Sequence, residues 1–356
     1  MKKIFFLLLL LISLIGCGGS SNDSSDILAP VLKKGKWTYI NKKGKDVISL
    51  EDVPYYLAFD FNEGLAAVLR NDTGRVGYIN KKGKVVVSCD YEIESRNFKE
   101  GLACVQKNGM FGYIDKTGKI IIPFEYDDAG SFNDGLAWVK KNGMFGYIDK
   151  TGKIIIPIQL MEARNFNDGL APVKIKTKNN IKAGKFNIYP DLWGYIDKKG
   201  EIIIPFEYNE ARSFSDGLAA VRKKNYWGYI DKKGKTIIPL KLREHVLNFS
   251  EGLVAIEKNF KLGYINKNFE AITEFEYDFT NKFNEGLAVV SKNNKYGFID
   301  KSGEIVIPLE YDRAKNFNEG LAAVKKNGQW GFIDKKGNLI IPFKYKDVGT
   351  FKKINK

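Results

Sequence analysis

Histidine and cysteine are almost missing from this 356-residue chain, which holds one of the first and three of the second. A single histidine, His245, excludes a centre built from several imidazoles, and no two cysteines have the CxxC spacing of a zinc or redox site. Without a repeated Ser or Cys nucleophile nearby, His245 reads as an ordinary surface or core residue. Cys89 and Cys104 could close a short loop in an exported protein, but with no wider framework they read as two separate small hydrophobes. Also absent are a P-loop, a GxGxxG run after a strand and an EF-hand loop. The YID-K-x-G runs lack the alternating acids that calcium requires. No metal and no cofactor is expected.

Acids are scarce too: 57 Lys and Arg stand against 42 Asp and Glu, a net charge of +15. Such a surplus suits anionic partners, although lysine decorating exposed turns would produce the same balance.

The first sixteen residues read as a targeting signal: Lys2 and Lys3 precede an apolar stretch of twelve, Ile4 to Ile15, too short to span a bilayer. Their loss takes the charge from +15 to +13, since residues 1–16 hold no acid. Leu14-Ile15-Gly16-Cys17 resembles the lipobox of bacterial lipoproteins. The resemblance implies that Cys17 becomes the first mature residue and carries several acyl chains, enough for stable anchoring. Residues 17–27 then form the lipidated Cys and a small, polar tether, and residues 28–356 the folded array.

That array repeats itself. Lys107 to Pro123 returns letter for letter from Lys141 to Pro157. Aligned on the residue after the aromatic of the W/F/Y-G-Y/F-I-D/N core, nine units fall at Thr38, Gly77, Gly112, Gly146, Gly194, Gly228, Gly263, Gly297 and Gly331. A second marker, Phe-x-Asp/Glu-Gly-Leu, keeps the same phase. In the last copy, Leu321 to Val324 reads as strand B, Asn327-Gly328 as a type I′ hairpin turn and Trp330 to Ile333 as strand C. Asp334 to Gly337 reads as a second turn and Leu339 to Ile341 as strand D, stopped by Pro342. The segment before each marker, such as Ala211 to Phe214, reads as a short strand A. The D strands are apolar at consecutive positions, which implies cover on both faces.

Nine antiparallel meanders of about 34 residues define an all-β fold. A β-propeller-like closed ring is preferred, because the chain enters in a B strand at Leu28 and leaves in an A strand at Val348 to Phe351, so the last segment can complete the first unit. The alternative is an open β-solenoid or superhelical array. Trp193-Gly194, Trp227-Gly228 and Trp330-Gly331, with the recurring GLA and IIPFEY pieces, resemble the bacterial WG (KWG) repeat family. That family is recognised as a repeat and implies no shared activity.

The periodic acids Asp134, Asp168, Asp216, Glu251, Glu285 and Glu319 invite a glycosidase reading. They occupy one repeat position, however, where a carboxylate accepting backbone N–H groups within its own turn explains them better than catalysis. Departures from the repeat point elsewhere. Arg96, Arg164, Arg212 and Lys315 share one place in the A strands; they either converge on a channel to hold an anion or pair with acids of neighbouring units. An insertion at about 174–190 in the fifth unit carries Lys174, Lys176, Lys178, Lys182 and Lys185, a candidate partner-contact tongue or a tolerated surface loop.

The expected protein is a non-enzymatic binding scaffold of the bacterial cell envelope, held through lipid on Cys17 at the outer membrane or the cell surface. Its expected partner is a protein or an anionic envelope polymer, and nucleic acid is not expected. The alternatives are a structural or assembly lipoprotein and, more weakly, a carbohydrate-active propeller enzyme.

Overall fold

The computed structural model describes residues 26–50, 55–94, 97–175, 191–243 and 246–354. Cys17 and its flanking segments, Arg96, His245 and the tongue lysines Lys176, Lys178, Lys182 and Lys185 lie outside the described residues.

Each unit is organised by its turns. Asn327 (φ 51°) and Gly328 (φ 79°) are both left-handed, which makes the two-residue loop that matches strand twist. The loop sets the register from Lys326↔Gln329 to Leu321↔Asp334, joining strand B, Leu321–Lys326, to strand C, Gln329–Asp334. At the end of C, the Asp334 carboxylate accepts the N–H groups of Lys336 and Asn338, each at 2.9 Å. The chain then enters strand D, Leu339–Tyr345, while strand A, Arg313–Ala314, pairs on the far side of B.

The repeated glycine after the aromatic follows from the C–D pairing. D bulges over C between Trp330↔Tyr345 and Phe332↔Ile341, and a Cβ on Gly331 would lie 2.7 Å from the Ile341 carbonyl oxygen. No side chain fits there. In the first unit the position is Thr38, whose hydroxyl donates to the corresponding carbonyl of Ile48 at 2.8 Å. Pro342 sits inside the bulge, so D continues to Tyr345 instead of ending at the proline.

D strands are also less covered than their composition implies. Ile122 is buried, but Ile120 is 52% exposed, and the same alternation recurs along Ile305–Tyr311 and Leu339–Tyr345. In these units D is the edge strand of its sheet and buries one face.

The other face of every sheet is shared between units. In one core cluster Phe111, Tyr113 and Ile122 of the third unit pack with Phe132, Val139 and Ile148 of the fourth. The middle aromatic of each C strand meets the marker Phe of the next unit. These nine pairs, from Tyr39–Phe61 to Phe332–Phe351, have ring centroids 4.8 to 5.0 Å apart. Each adds on the order of 1 kcal/mol beyond its buried area. Where the C-strand aromatic is Tyr, the hydroxyl can also cross the seam: Tyr147 donates to the Arg164 carbonyl at 2.6 Å and Tyr195 to that of Arg212 at 2.8 Å.

The ring closes by strand exchange. Strand B of the first unit, Ile27–Lys33, pairs antiparallel with Asp347–Val348 and Lys352–Lys353 from the far end of the chain. The Gly349 N–H donates to the Pro30 carbonyl at 2.7 Å and the Thr350 N–H to the Asp60 carboxylate at 2.8 Å. The architecture is a closed β-propeller. Its nine units form eight sheets among the described residues, because Ile154–Ala163 serves as D of the fourth unit and A of the fifth. No disulfide joins Cys89 to Cys104.

Candidate functional site

The periodic carboxylates hold units together, and they do so across the seam instead of within their own turns. Glu63 accepts the N–H groups of Glu100 and Gly101 in the next unit, at 2.6 and 2.9 Å. Glu100 does the same for Gly135, Asp134 for Gly169, Asp168 for Gly217, Asp216 for Gly252, Glu251 for Gly286 and Glu285 for Gly320. The neighbouring residue completes the link: Ser215 and Ser250 hydroxyls donate to the marker-Phe carbonyls Phe249 and Phe283, each at 2.8 Å. A lysine from the next unit's C–D turn then pairs with the same carboxylate, as in Lys150–Glu100 at 3.2 Å and Lys301–Glu251 at 3.1 Å. Groups so engaged serve architecture. Identical position in every unit made them look like a set, but sequence spacing alone does not reveal which unit's N–H they accept.

The A-strand cations among the described residues are Arg164, Arg212 and Lys315. Each lies over the tryptophan of its own unit, together with a second cation from strand B. Arg164 and Lys174 lie 4.7 and 5.4 Å from the Trp193 ring. Arg212 and Arg222 lie 5.4 and 5.9 Å from Trp227, and Lys315 and Lys325 lie 5.3 and 5.9 Å from Trp330. The cross-strand pairing Lys174↔Trp193, Arg222↔Trp227 and Lys325↔Trp330 fixes the second member. Attraction between a cation and the ring face is the physical reason, contributing on the order of 1 kcal/mol at such partly exposed sites. Lys315 additionally donates to the Val348 carbonyl at 2.5 Å, so it belongs to the closure of the ring.

Arg164 and Arg212, from adjacent units, do open onto one cleft of about 560 Å³, with Glu210, Arg222, Trp227 and Asn248. Glu210 stands directly across from Arg222 in the A–B register and is held at 3.7 Å from it and at 3.3 Å from Arg164. The Arg164 pair is the expected bond to a neighbouring unit's acid. Two guanidinium groups therefore share one carboxylate, and the third, Arg212, has no carboxylate partner among the described residues. Its fork is available to a phosphate or carboxylate with the indole behind it. Glu210, Arg222 and Asn248 were not apparent as site residues, because only the B-strand alternation and the seam geometry bring them to this cleft. Lys174 pairs with Glu162 at 2.6 Å and is mostly buried, which makes it the fixed base of the insertion.

Ring closure, inter-unit seams and the tryptophan–cation faces define the class: a β-propeller assembled from nine copies of one short meander. The WG containing repeat matches residues 37–73, 77–110, 111–144, 145–178, 193–227, 227–261, 263–296, 296–330 and 330–353, and the chain belongs to that family. A crystal structure of a eukaryotic initiation factor shares the fold, with a TM-score of 0.65 at 8% identity over 91% of this chain and 97% of that one. Hsv2p of Kluyveromyces lactis aligns with a TM-score of 0.41 at 11% identity, over 69% of this chain and 92% of that one. A search of curated proteins finds no match.

Proposed function

We propose that this WG repeat protein is a non-enzymatic binding scaffold of the bacterial cell envelope, tethered by lipid on Cys17 and engaging an anionic polymer or an acidic protein surface. The observation that carries the reading is the cleft of Arg164, Arg212 and Arg222 around the single carboxylate of Glu210. A rigid ring fixes those guanidinium groups in space, so a bound anion meets a preorganised fork at little ordering cost. Engagement of the periodic acids by backbone N–H groups supports a role without catalysis. The lipobox-like residues before Cys17 support the tether.

The test is retention on an immobilised polyanion, polygalacturonate or a polyphosphate, across a salt series. Arg212→Glu should lower retention by roughly tenfold or more at low salt, with little change in melting temperature. Retention equal to that of the parent chain would sink the cleft as the binding site. The tether is tested separately: Cys17→Ser should move the protein from the membrane fraction to the soluble one.

A further inference from the structure

Two turns of the seventh unit break the ring's backbone rules at the same place. In the C–D turn, eight units carry Gly with φ from 75° to 89°, and the seventh carries Phe269 at φ 66°. In its hairpin turn, Asn259 is followed by Phe260 at φ 61°, where Asn108, Asn142 and Asn327 are each followed by Gly. A bulky side chain in the left-handed region is an outlier, and such strain persists where surrounding structure or function holds it. Packing does not account for Phe260, which is 88% exposed.

Both phenylalanines face one cleft of about 690 Å³ between the sixth and seventh units. Its floor is apolar, formed by Leu242, Ile256 and Ile265, each at most 9% exposed, with Phe275 beside them. The sheet is reduced here: among the described residues the seventh unit pairs only Leu253–Lys258 with Lys261–Asn266. Isolated bridges, Ile265↔Ala271 and Leu262↔Tyr277, stand in for strand D. Around the rim are Lys241, Arg243 and Lys258, against one lining acid, Glu257. Lys241 lies 4.7 Å from the Phe269 ring and Lys258 lies 5.5 Å from the Phe275 ring, so cations and rings alternate along the cleft.

We infer that this cleft is a docking site for an acidic segment of another protein that inserts an aromatic or aliphatic side chain. Charge complementarity selects the acidic flanks, since three cations surround one carboxylate. The floor selects the anchor, because it offers aliphatic and aromatic carbon to whatever enters. A charged polysaccharide satisfies the rim but would bury hydroxyls against that floor without partners. The site is independent of the arginine cleft and stands or falls separately from it.

The probe is a fluorescein-labelled peptide of alternating glutamate and leucine with one central phenylalanine, followed by anisotropy against the full chain. Phe260→Gly restores the residue that other units use, so its melting temperature should not fall, while peptide affinity should drop about tenfold. Lys241→Glu with Arg243→Glu should produce a similar loss. Arg212→Glu should bind the peptide as the parent does. Equal affinity for the Phe260→Gly variant, equal binding of a lysine-for-glutamate peptide, or displacement of the peptide by polygalacturonate would each overturn the assignment.

Discussion

At six of the seams a single tyrosine does two jobs, packing a ring against the next unit's Phe and donating a hydroxyl to a backbone carbonyl just before that Phe. Burial pushes the phenols of Tyr39, Tyr147 and Tyr195 well above the ordinary tyrosine range, and raises Tyr78, Tyr229 and Tyr264 as well. The sign follows from linkage. A folded-state value above the unfolded one leaves stability intact below about pH 10, then removes it as pH climbs toward the folded value, by about 1.4 kcal/mol per pH unit for each such group. Denaturant unfolding should therefore show near-constant stability from neutral pH to about 9 and a steep fall above 10. Tyr147→Phe loses the bond to the Arg164 carbonyl and should cost about 1–3 kcal/mol at pH 7, yet unfold less steeply with alkali. An alkaline slope unchanged by that substitution would show that the seam tyrosines do not set the transition. These roles were only partly legible in the sequence. The Tyr and Phe markers were visible as a period, but a period does not say that each Tyr reaches a Phe about twenty positions on, in the next unit.

At the scale of the element, the repeat is decided by where D crosses C. Residues buried at consecutive positions form the B–C hairpin, and its Asn-Gly turn is readable directly because its two residues must be left-handed. The C–D contact is less readable, since the bulge lets an edge strand with a central proline approach the glycine of C. A Cβ on Gly297 would meet the Ile307 carbonyl oxygen at 2.5 Å and Pro308 at 2.8 Å. Gly297→Ala should accordingly destabilise by roughly 1–3 kcal/mol by separating the two strands. The paired change Thr38→Gly removes a hydroxyl bond but creates no clash, so it should cost less, about 1 kcal/mol. Equal effects of the two in thermal or chemical unfolding would remove close approach as the reason for the glycine. The apolar run of D misled for a related reason: Ile120, Ile305 and Leu339 are exposed residues of an edge strand, and composition does not distinguish an edge from a covered centre.

Over the whole molecule, a ring differs from an open array in one contact set, and that set is carried by a few residues at the chain's far end. The frame of the repeat made it legible, because the first unit lacks strand A and the last segment is an A strand without a B. What spacing left out is the number of independent devices that converge there: ladder pairing with Ile27–Lys33, the Phe332–Phe351 ring contact and the Asp60–Thr350 bonds. In a stacked array each unit touches only its neighbours, so stability is nearly a sum of unit and interface terms, and closure adds one interface without adding a unit. Removing residues 347–356 should delete that interface, bare the edge of Ile27–Lys33 and leave the ends free to separate. Such an edge is a template for another chain. The shortened protein should melt at lower temperature with a broader transition in calorimetry, and should self-associate in size-exclusion chromatography as concentration rises. If it instead remained monomeric and melted with the full-length chain, the eight other seams would be sufficient without closure, and the terminal strand would be an accessory to a fold already held by its other contacts.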